Sequence, residues 1–223
     1  MFAKLKVQFF LIVAKANSCI SRLILLPFFL LIMASCSHKP AEKKFKIGFS
    51  QCQGGDDWRK TMLAEMQREL SFHDNVEFIY RDGEADSKKQ LAQIKELVNM
   101  PVDLLIVSPN EIQPLSQEIE KAFDKGIPVV LVDRGINSQK YTAFIGASNF
   151  EVGQNAGRCA ASTLNGKGNV IEVTGLPDAT PFIDRHNGFF NIISQHPGIH
   201  YIQTLNDHDT GYLKKLTKVL LAE

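Results

Sequence analysis

The stretch Val129-Val-Leu-Val-Asp-Arg-Gly135 runs four apolar residues, three of them β-branched, straight into an acid and a base. β-branched residues suit a pleated strand, and a run without polar alternation suits a strand buried on both faces. That burial requires helices on both sides of a parallel sheet. The charged pair then stands where such a strand ends.

Working upstream from Val129, the segment Leu115 to Lys125 spaces Leu115, Ile119, Ala122 and Phe123 for one helical face, with Gly126 as its cap and Pro128 beyond it. Asp103 to Ser108 is a second continuous apolar strand, and Ser87 to Val98 a helix burying Leu91, Ile94, Leu97 and Val98. Val76 to Arg81 and Phe45 to Ser50 are further strands. Between them the helix Asp57 to Leu70 carries Met62, Met66 and Leu70 as a stripe expected in the core. The first lobe is therefore an open α/β sandwich with right-handed crossovers.

Downstream of Tyr141 to Ser148 the alternation restarts. A helix is expected from Glu151 to Leu164, a glycine-rich turn at Gly166 to Gly168, a strand from Asn169 to Thr174 and a helix from Phe182 to Ser194. A strand from Ile199 to Thr204 and a helix from Tyr212 to Ala222 complete the series. The expected division is a first lobe over residues 45–148 and a partial second lobe over residues 149–223.

The first 36 residues differ in kind. Lys4, Lys6, Lys15 and Arg22 flank apolar patches, and the twelve-residue patch Leu23 to Ala34 is short for a membrane span, which takes about 20 residues. It fits the apolar region of a secretory signal. Residues 37–44, polar and aperiodic, read as a tether. The ending Met33-Ala-Ser-Cys36 resembles the lipobox of bacterial lipoproteins, with Met33 where that motif usually has Leu. That resemblance implies lipidation at Cys36 and attachment to a membrane; a cleaved signal and an uncleaved anchor are the alternatives.

Composition narrows the partners. Twenty-five basic residues against 24 acidic ones, without a Lys/Arg cluster, provide no electrostatic footprint for nucleic acid. Cys19, Cys36, Cys52 and Cys159 form no CxxC pair, and Pro197-Gly198 breaks any helix that would align His196 with His200. The pattern implies neither metal nor cofactor. Cys52 is expected as a small residue near the crevice and Cys159 as a helix residue against a neighbour.

Ligands of open parallel sheets bind outside the carboxyl ends of the strands. The polar residues there are Ser50 and Gln51, Asp82, Ser108 to Asn110, Asp133 and Arg134, Ser148 and Asn149, and the loop Gly175 to Arg185. They include no phosphate loop, dinucleotide fingerprint or nucleophile elbow. Gly54-Gly55 is followed by Asp56 and Asp57, which would repel a phosphate and suit a helix N-cap. A carboxylate beside a guanidinium suits a neutral polyhydroxylated ligand, since a hydroxyl both donates and accepts. Pairing of Asp133 and Arg134 with other protein groups is the alternative. Trp58 either stacks on a sugar ring or packs under its loop.

The segments Phe45 to Cys52, Trp58-Arg59, Leu104 to Glu111, Gly126 to Arg134, Phe144 to Asn149, Gly166 to Gly175 and Asp184 to Phe189 together resemble the type I periplasmic sugar-binding protein family. Ser-Gln-Cys followed by Trp-Arg, with Ile-Val-Ser-Pro-Asn-Glu, is most similar to the periplasmic sensor domain of hybrid two-component histidine kinases. The resemblance covers residues 45 to 223. It implies two lobes, each a parallel sheet sandwiched by helices, closing on a monosaccharide or short oligosaccharide. It implies ligand contacts from Ser50, Gln51, Trp58, Asn110, Asp133, Arg134, Asn149 and Arg185. Members of that family continue with further strand–helix units, so the chain is expected to stop partway through the second lobe.

Three functions compete on these grounds. One is a sugar-sensing input for a histidine kinase, and a second is the capture lipoprotein of a sugar importer that delivers to a permease. The third, an enzyme on the same scaffold, is disfavoured because the crevice residues include no base, nucleophile or metal set.

Overall fold

The computed structural model describes residues 43–205. The expected leader, Cys36, most of the tether and the expected helix Tyr212 to Ala222 lie outside the described residues. Seven strands and five helices follow in order: β1 Phe45–Gln51, α1 Asp57–Leu70, β2 Val76–Asp82, α2 Ser87–Asn99, β3 Leu104–Ser108, α3 Leu115–Asp124, β4 Val129–Val132, β5 Ala143–Ile145, α4 Asn149–Thr163, β6 Lys167–Thr174, α5 Thr180–Ile193 and β7 Gly198–Leu205.

Strands β1 to β5 form one parallel sheet in the order β2-β1-β3-β4-β5. The chain passes from β1 outward to β2 and then crosses back to β3 on the other side of β1, which makes the carboxyl ends of β1 and β3 the switch point of the sheet. The apolar runs form strands as expected, but their burial is uneven: Leu105, Val107, Val129 and Leu131 on one face are fully buried, while Leu104, Ile106 and Val130 on the other are only partly buried. Ile94 and Leu97 of α2 and Leu115, Ile119 and Ala122 of α3 join them in one core. On the other face Phe49 meets Phe78 at 6.2 Å and Tyr80 at 5.7 Å between ring centroids.

Helix ends are set by short polar side chains. Asp56 caps α1 by accepting from the Arg59 N–H at 2.9 Å, and Asp86 caps α2 from the Lys88 N–H at 2.8 Å. Gly126 (φ +81°) follows the end of α3 in the left-handed conformation common after helices.

The second sheet pairs β6 with β7 in parallel over eight residues each. Helices α4 and α5 cross closely, and glycines set the separation: a Cβ at Gly153 would lie 2.1 Å from the Arg185 carbonyl, and one at Gly188 2.0 Å from the Phe150 carbonyl. Ala161, Phe189, Ile193 and Ile199 form the small core beneath. This part is joined to the first sheet by hydrogen bonds from Gly135 N–H to the Thr180 side-chain Oγ1 at 2.8 Å and from Ile112 N–H to the Asp178 backbone carbonyl at 2.8 Å.

Three expectations of burial are corrected. Helix α1 has no fully buried residue, and Met62 and Met66 are only half-buried. Phe123 is exposed, whereas Ser116 and Glu118 of the same helix are buried. Cys159 is exposed rather than packed on a neighbour. The strand β5, three residues long and exposed, was not distinguishable as a strand in the pattern of Tyr141 to Ser148.

Candidate functional site

Strand β4 ends at Val132, and Asp133 turns the chain with φ +65°, the left-handed region that Asp tolerates better than most residues. Its N–H bonds the Ile145 carbonyl of β5 at 2.8 Å, so the backbone is tied on both sides of the turn. The side chains of Asp133 and Arg134 thereby leave the sheet in different directions around a cavity of about 710 Å³. Its walls come from the start of α1, the ends of β4 and β5, the start of α4 and the start of α5.

The cavity brings together Trp58, Asp133, Arg134, Asn149 and Arg185. Arg185 on α5 donates from Nε to Asn149 Oδ1 at 2.8 Å, and its guanidinium lies 5.9 Å from the Phe182 ring centroid. Asn149, the first residue of α4, thus aims a residue of the next helix. Trp58 is 54% exposed at the rim, with the Arg59 guanidinium 5.6 Å from its ring.

Arg134 is buried. It donates from Nη1 to the Asn110 carbonyl at 2.7 Å and reaches Asn110 Oδ1 at 3.4 Å. Asn110 is held in turn: its N–H donates to Gln90 Oε1 at 2.8 Å and its Nδ2 to Ser87 Oγ at 2.9 Å. Burial pushes the Arg134 guanidinium below its ordinary value, against the opposing pull of the nearby acids. Its Nε is buried without a hydrogen-bond partner among the described residues, an arrangement that costs free energy unless something else is bound there.

Ser50, Gln51 and Asn110 do not line the cavity. Ser50 and Gln51 are fully buried in the last turn of the pleat, where Gln51 donates to the Gln53 carbonyl at 2.8 Å. Asn110 stands behind Arg134 as a strut. The strand-end rule places all three at the right end of the sheet, but Gln51 is held by Gln53 and Tyr80, Asn110 by Gln90 and Ser87 of α2, and all three are buried.

Several lining residues were not anticipated. Arg59 extends its guanidinium from α1 to Asp56 Oδ2 at 2.6 Å, to Asp133 Oδ2 at 3.2 Å and to Cys52 Sγ at 3.2 Å. Burial alone would raise the Asp56 carboxyl, yet the hydrogen bonds from Arg59 outweigh it and hold that carboxyl below the usual range. Met62 and Met66, expected in the core, line the cavity with Gln53 and Phe182. The sequence signal for Arg59 was its place three residues after a helix-capping Asp.

Chemically the walls present guanidinium donors from Arg59, Arg134 and Arg185, a carboxylate acceptor from Asp133 and aromatic faces from Trp58 and Phe182. Hydroxyl groups satisfy donors and acceptors mixed in this way, and an aromatic face covers the apolar side of a ring. Among the described residues no three His, Cys, Asp or Glu side chains stand together as a metal site.

Residues 47–221 match the periplasmic binding protein domain family. The chain is 26% identical to the ribose import binding protein of Bacillus subtilis over 182 residues, which cover 77% of this chain and 59% of that protein. It resembles the solved fructose-binding periplasmic domain of a hybrid two-component system with a TM-score of 0.74 and 41% identity, over 80% of this chain and 60% of that one. A solute-binding protein of an ABC transporter from Bacillus halodurans, solved with myo-inositol bound, has a TM-score of 0.74 and 26% identity, over 82% of this chain and 64% of that one. The chain thus spans about 60% of the length of such relatives.

Proposed function

Because this chain belongs to the periplasmic binding protein domain family, we propose that it binds a neutral sugar in the periplasm, without turning it over, as the sensing input of a carbohydrate-responsive two-component system. The observation that carries the reading is the convergence of Asp133, Arg134 and Arg185 on one cavity. In this reading Asp133 accepts a hydroxyl proton, Arg134 and Arg185 donate to sugar oxygens, and Trp58 stacks on the ring. Asn149 aims Arg185, and Asn110 aims Arg134. The sugar favours the closed arrangement of the two lobes over the open one, and that difference in affinity is the signal.

The 41% identity to a fructose-binding sensor domain supports the sensor role and makes a ketohexose the first ligand to try. Similarity to a ribose import protein and to a transporter's inositol-binding protein supports a second reading, capture lipoprotein of an importer. Lipidation at Cys36 would hold the protein at a membrane in either case. Radiolabelled palmitate incorporation, compared between the natural protein and Cys36→Ala, tests that attachment; equal labelling removes it. A kinase-coding continuation or neighbour favours sensing, and adjacent permease genes favour transport.

A melting screen against D-fructose, D-ribose, L-arabinose and myo-inositol tests the ligand class, because a ligand bound to the folded form raises the midpoint through mass action. An increase with at least one of them is expected. No increase with any of them, nor with a wider sugar panel, would remove the reading.

A further inference from the structure

The Arg59 guanidinium ties the loop between β1 and α1 to the tip of β4 through three side chains. Nη1 binds the cap of α1 through Asp56 Oδ2 at 2.6 Å, Nη2 binds the tip of β4 through Asp133 Oδ2 at 3.2 Å, and Nε points at Cys52 Sγ, 3.2 Å away, in the loop after β1. The side chain is only 12% exposed although it lines the cavity. A planar fork of five N–H groups can serve three acceptors at fixed angles; an ammonium on a flexible stem cannot hold the same three together.

Asp133 depends on this contact. Its other cation, Arg134, approaches with Nε at 3.9 Å, too far for a hydrogen bond, so the hydrogen bond that orients the carboxylate comes from Arg59. Arg59 is itself anchored, since Asp56 accepts both its backbone N–H at 2.9 Å and its Nη1. Cys52 is fully buried under the same guanidinium, and its other polar neighbour, Ser108 Oγ, lies 3.9 Å away.

We propose that Arg59 is a positioning residue of the binding site, a brace that aims the Asp133 carboxylate into the cavity and at the same time seals the Cys52 thiol from solvent. The first half rests on the reading of this cavity as a sugar site; the second half is independent of it. The brace also links the cavity to the first turn of α1 through Asp56.

The test uses the whole chain and two readouts. Iodoacetamide labelling resolved by peptide mass spectrometry compares Cys52 with the exposed Cys159 in the natural protein, Arg59→Lys and Arg59→Ala. Labelling of Cys52 is expected to accelerate about tenfold or more in both variants, as for loss of one charged hydrogen bond, while that of Cys159 stays constant. Calorimetry with D-fructose, or with whichever panel sugar binds the natural protein, is expected to give about tenfold weaker binding for Arg59→Lys. Adding Arg59→Lys to Asp133→Asn is expected to cost little more than Asp133→Asn alone. Arg59→Lys serves as the control for folding, and its circular dichroism is expected to match the natural protein. Unchanged Cys52 labelling overturns the seal, and undiminished affinity or strictly additive losses overturn the positioning role. If no sugar binds the natural protein the sugar reading falls, and the labelling alone decides whether Arg59 is a brace.

Discussion

The carboxylate of Asp133 and the Nη2 of Arg59 meet at 3.2 Å across 74 positions of sequence. This contact explains why an apolar strand stops on an acid and a base. Asp133 adopts a left-handed backbone at the end of β4, which turns its side chain out of the sheet, while Arg134 folds back to the Asn110 carbonyl. One side chain faces the cavity from the strand tip and the other from behind it.

Replacing Asp133 separates backbone from side-chain effects. Asp133→Asn keeps a residue that tolerates φ +65° but removes the acid facing Arg59 and Arg134, so its sugar affinity is expected to drop while its thermal midpoint falls less than that of Asp133→Ala. Asp133→Ala is expected to weaken binding by at least as much as Arg185→Ala, because it also leaves the buried Arg134 without its nearby acid. Calorimetry beside a melting curve distinguishes the two variants; equal affinity in all three proteins would dissociate Asp133 from the site.

Arg185→Ala removes a charged donor aimed by Asn149 at 2.8 Å. Its expected cost is about 1.5 to 3 kcal/mol of binding free energy, roughly 10- to 100-fold in affinity. Asn149→Ala, which leaves the guanidinium present but unaimed, is expected to give a smaller loss in the same titration. An affinity unaltered by Arg185→Ala would take α5 out of the binding surface.

The crossing of α4 and α5 admits no side chain at its glycines. Gly188→Ala places a methyl 2.0 Å from the Phe150 carbonyl, and relief requires the helices to separate. The expected destabilisation is about 1 to 3 kcal/mol, which for a chain of this size lowers the melting midpoint by several degrees. Because Arg185 is on α5, the same variant is expected to weaken sugar binding. A midpoint equal to that of the natural protein would contradict the close approach.

Asp56 sets a pH dependence. Its carboxyl is held below the ordinary value in the folded chain, so its contribution to stability is fully present above the unfolded value and is lost as pH falls through the folded one. Asp56→Asn keeps an N-cap but removes the charge opposite Arg59. The midpoint difference between the natural protein and Asp56→Asn is expected to be constant above about pH 5 and to shrink below about pH 4. The side chain is 39% exposed, so the difference is small and falls with added salt. A gap that widens towards low pH would reverse the sign of the account.

Much of the architecture was legible because parallel strands flanked by helices leave continuous apolar runs, as in Leu104 to Val107 and Val129 to Val132, even though one face of these strands is only partly buried. The strand-end rule found Asp133, Arg134 and Asn149 because each closely follows a strand of the first sheet, whereas Arg185 lies within the helix after β6 and reaches the same cavity from the second sheet's side. It also selected Ser50, Gln51 and Asn110, since chain position says nothing about what loop lies over a residue. Periodicity identified the face bearing Met62 and Met66 but not what that face meets, here a cavity instead of the core. Arg59 was hidden for a different reason: Cys52 and Asp56 are its local neighbours in sequence, but Asp133 is 74 positions away, and only the fold brings that carboxylate within 3.2 Å of the guanidinium.

Whether Asp133, Arg134 and Arg185 together hold a sugar is decided by calorimetric titration of the whole chain with the sugar that most raises its melting midpoint, repeated on Arg185→Ala. Saturable binding at one site without consumption of the sugar is expected, with about 10- to 100-fold loss in the variant. Absence of binding across the panel, or equal binding by both proteins, would contradict a sugar site there.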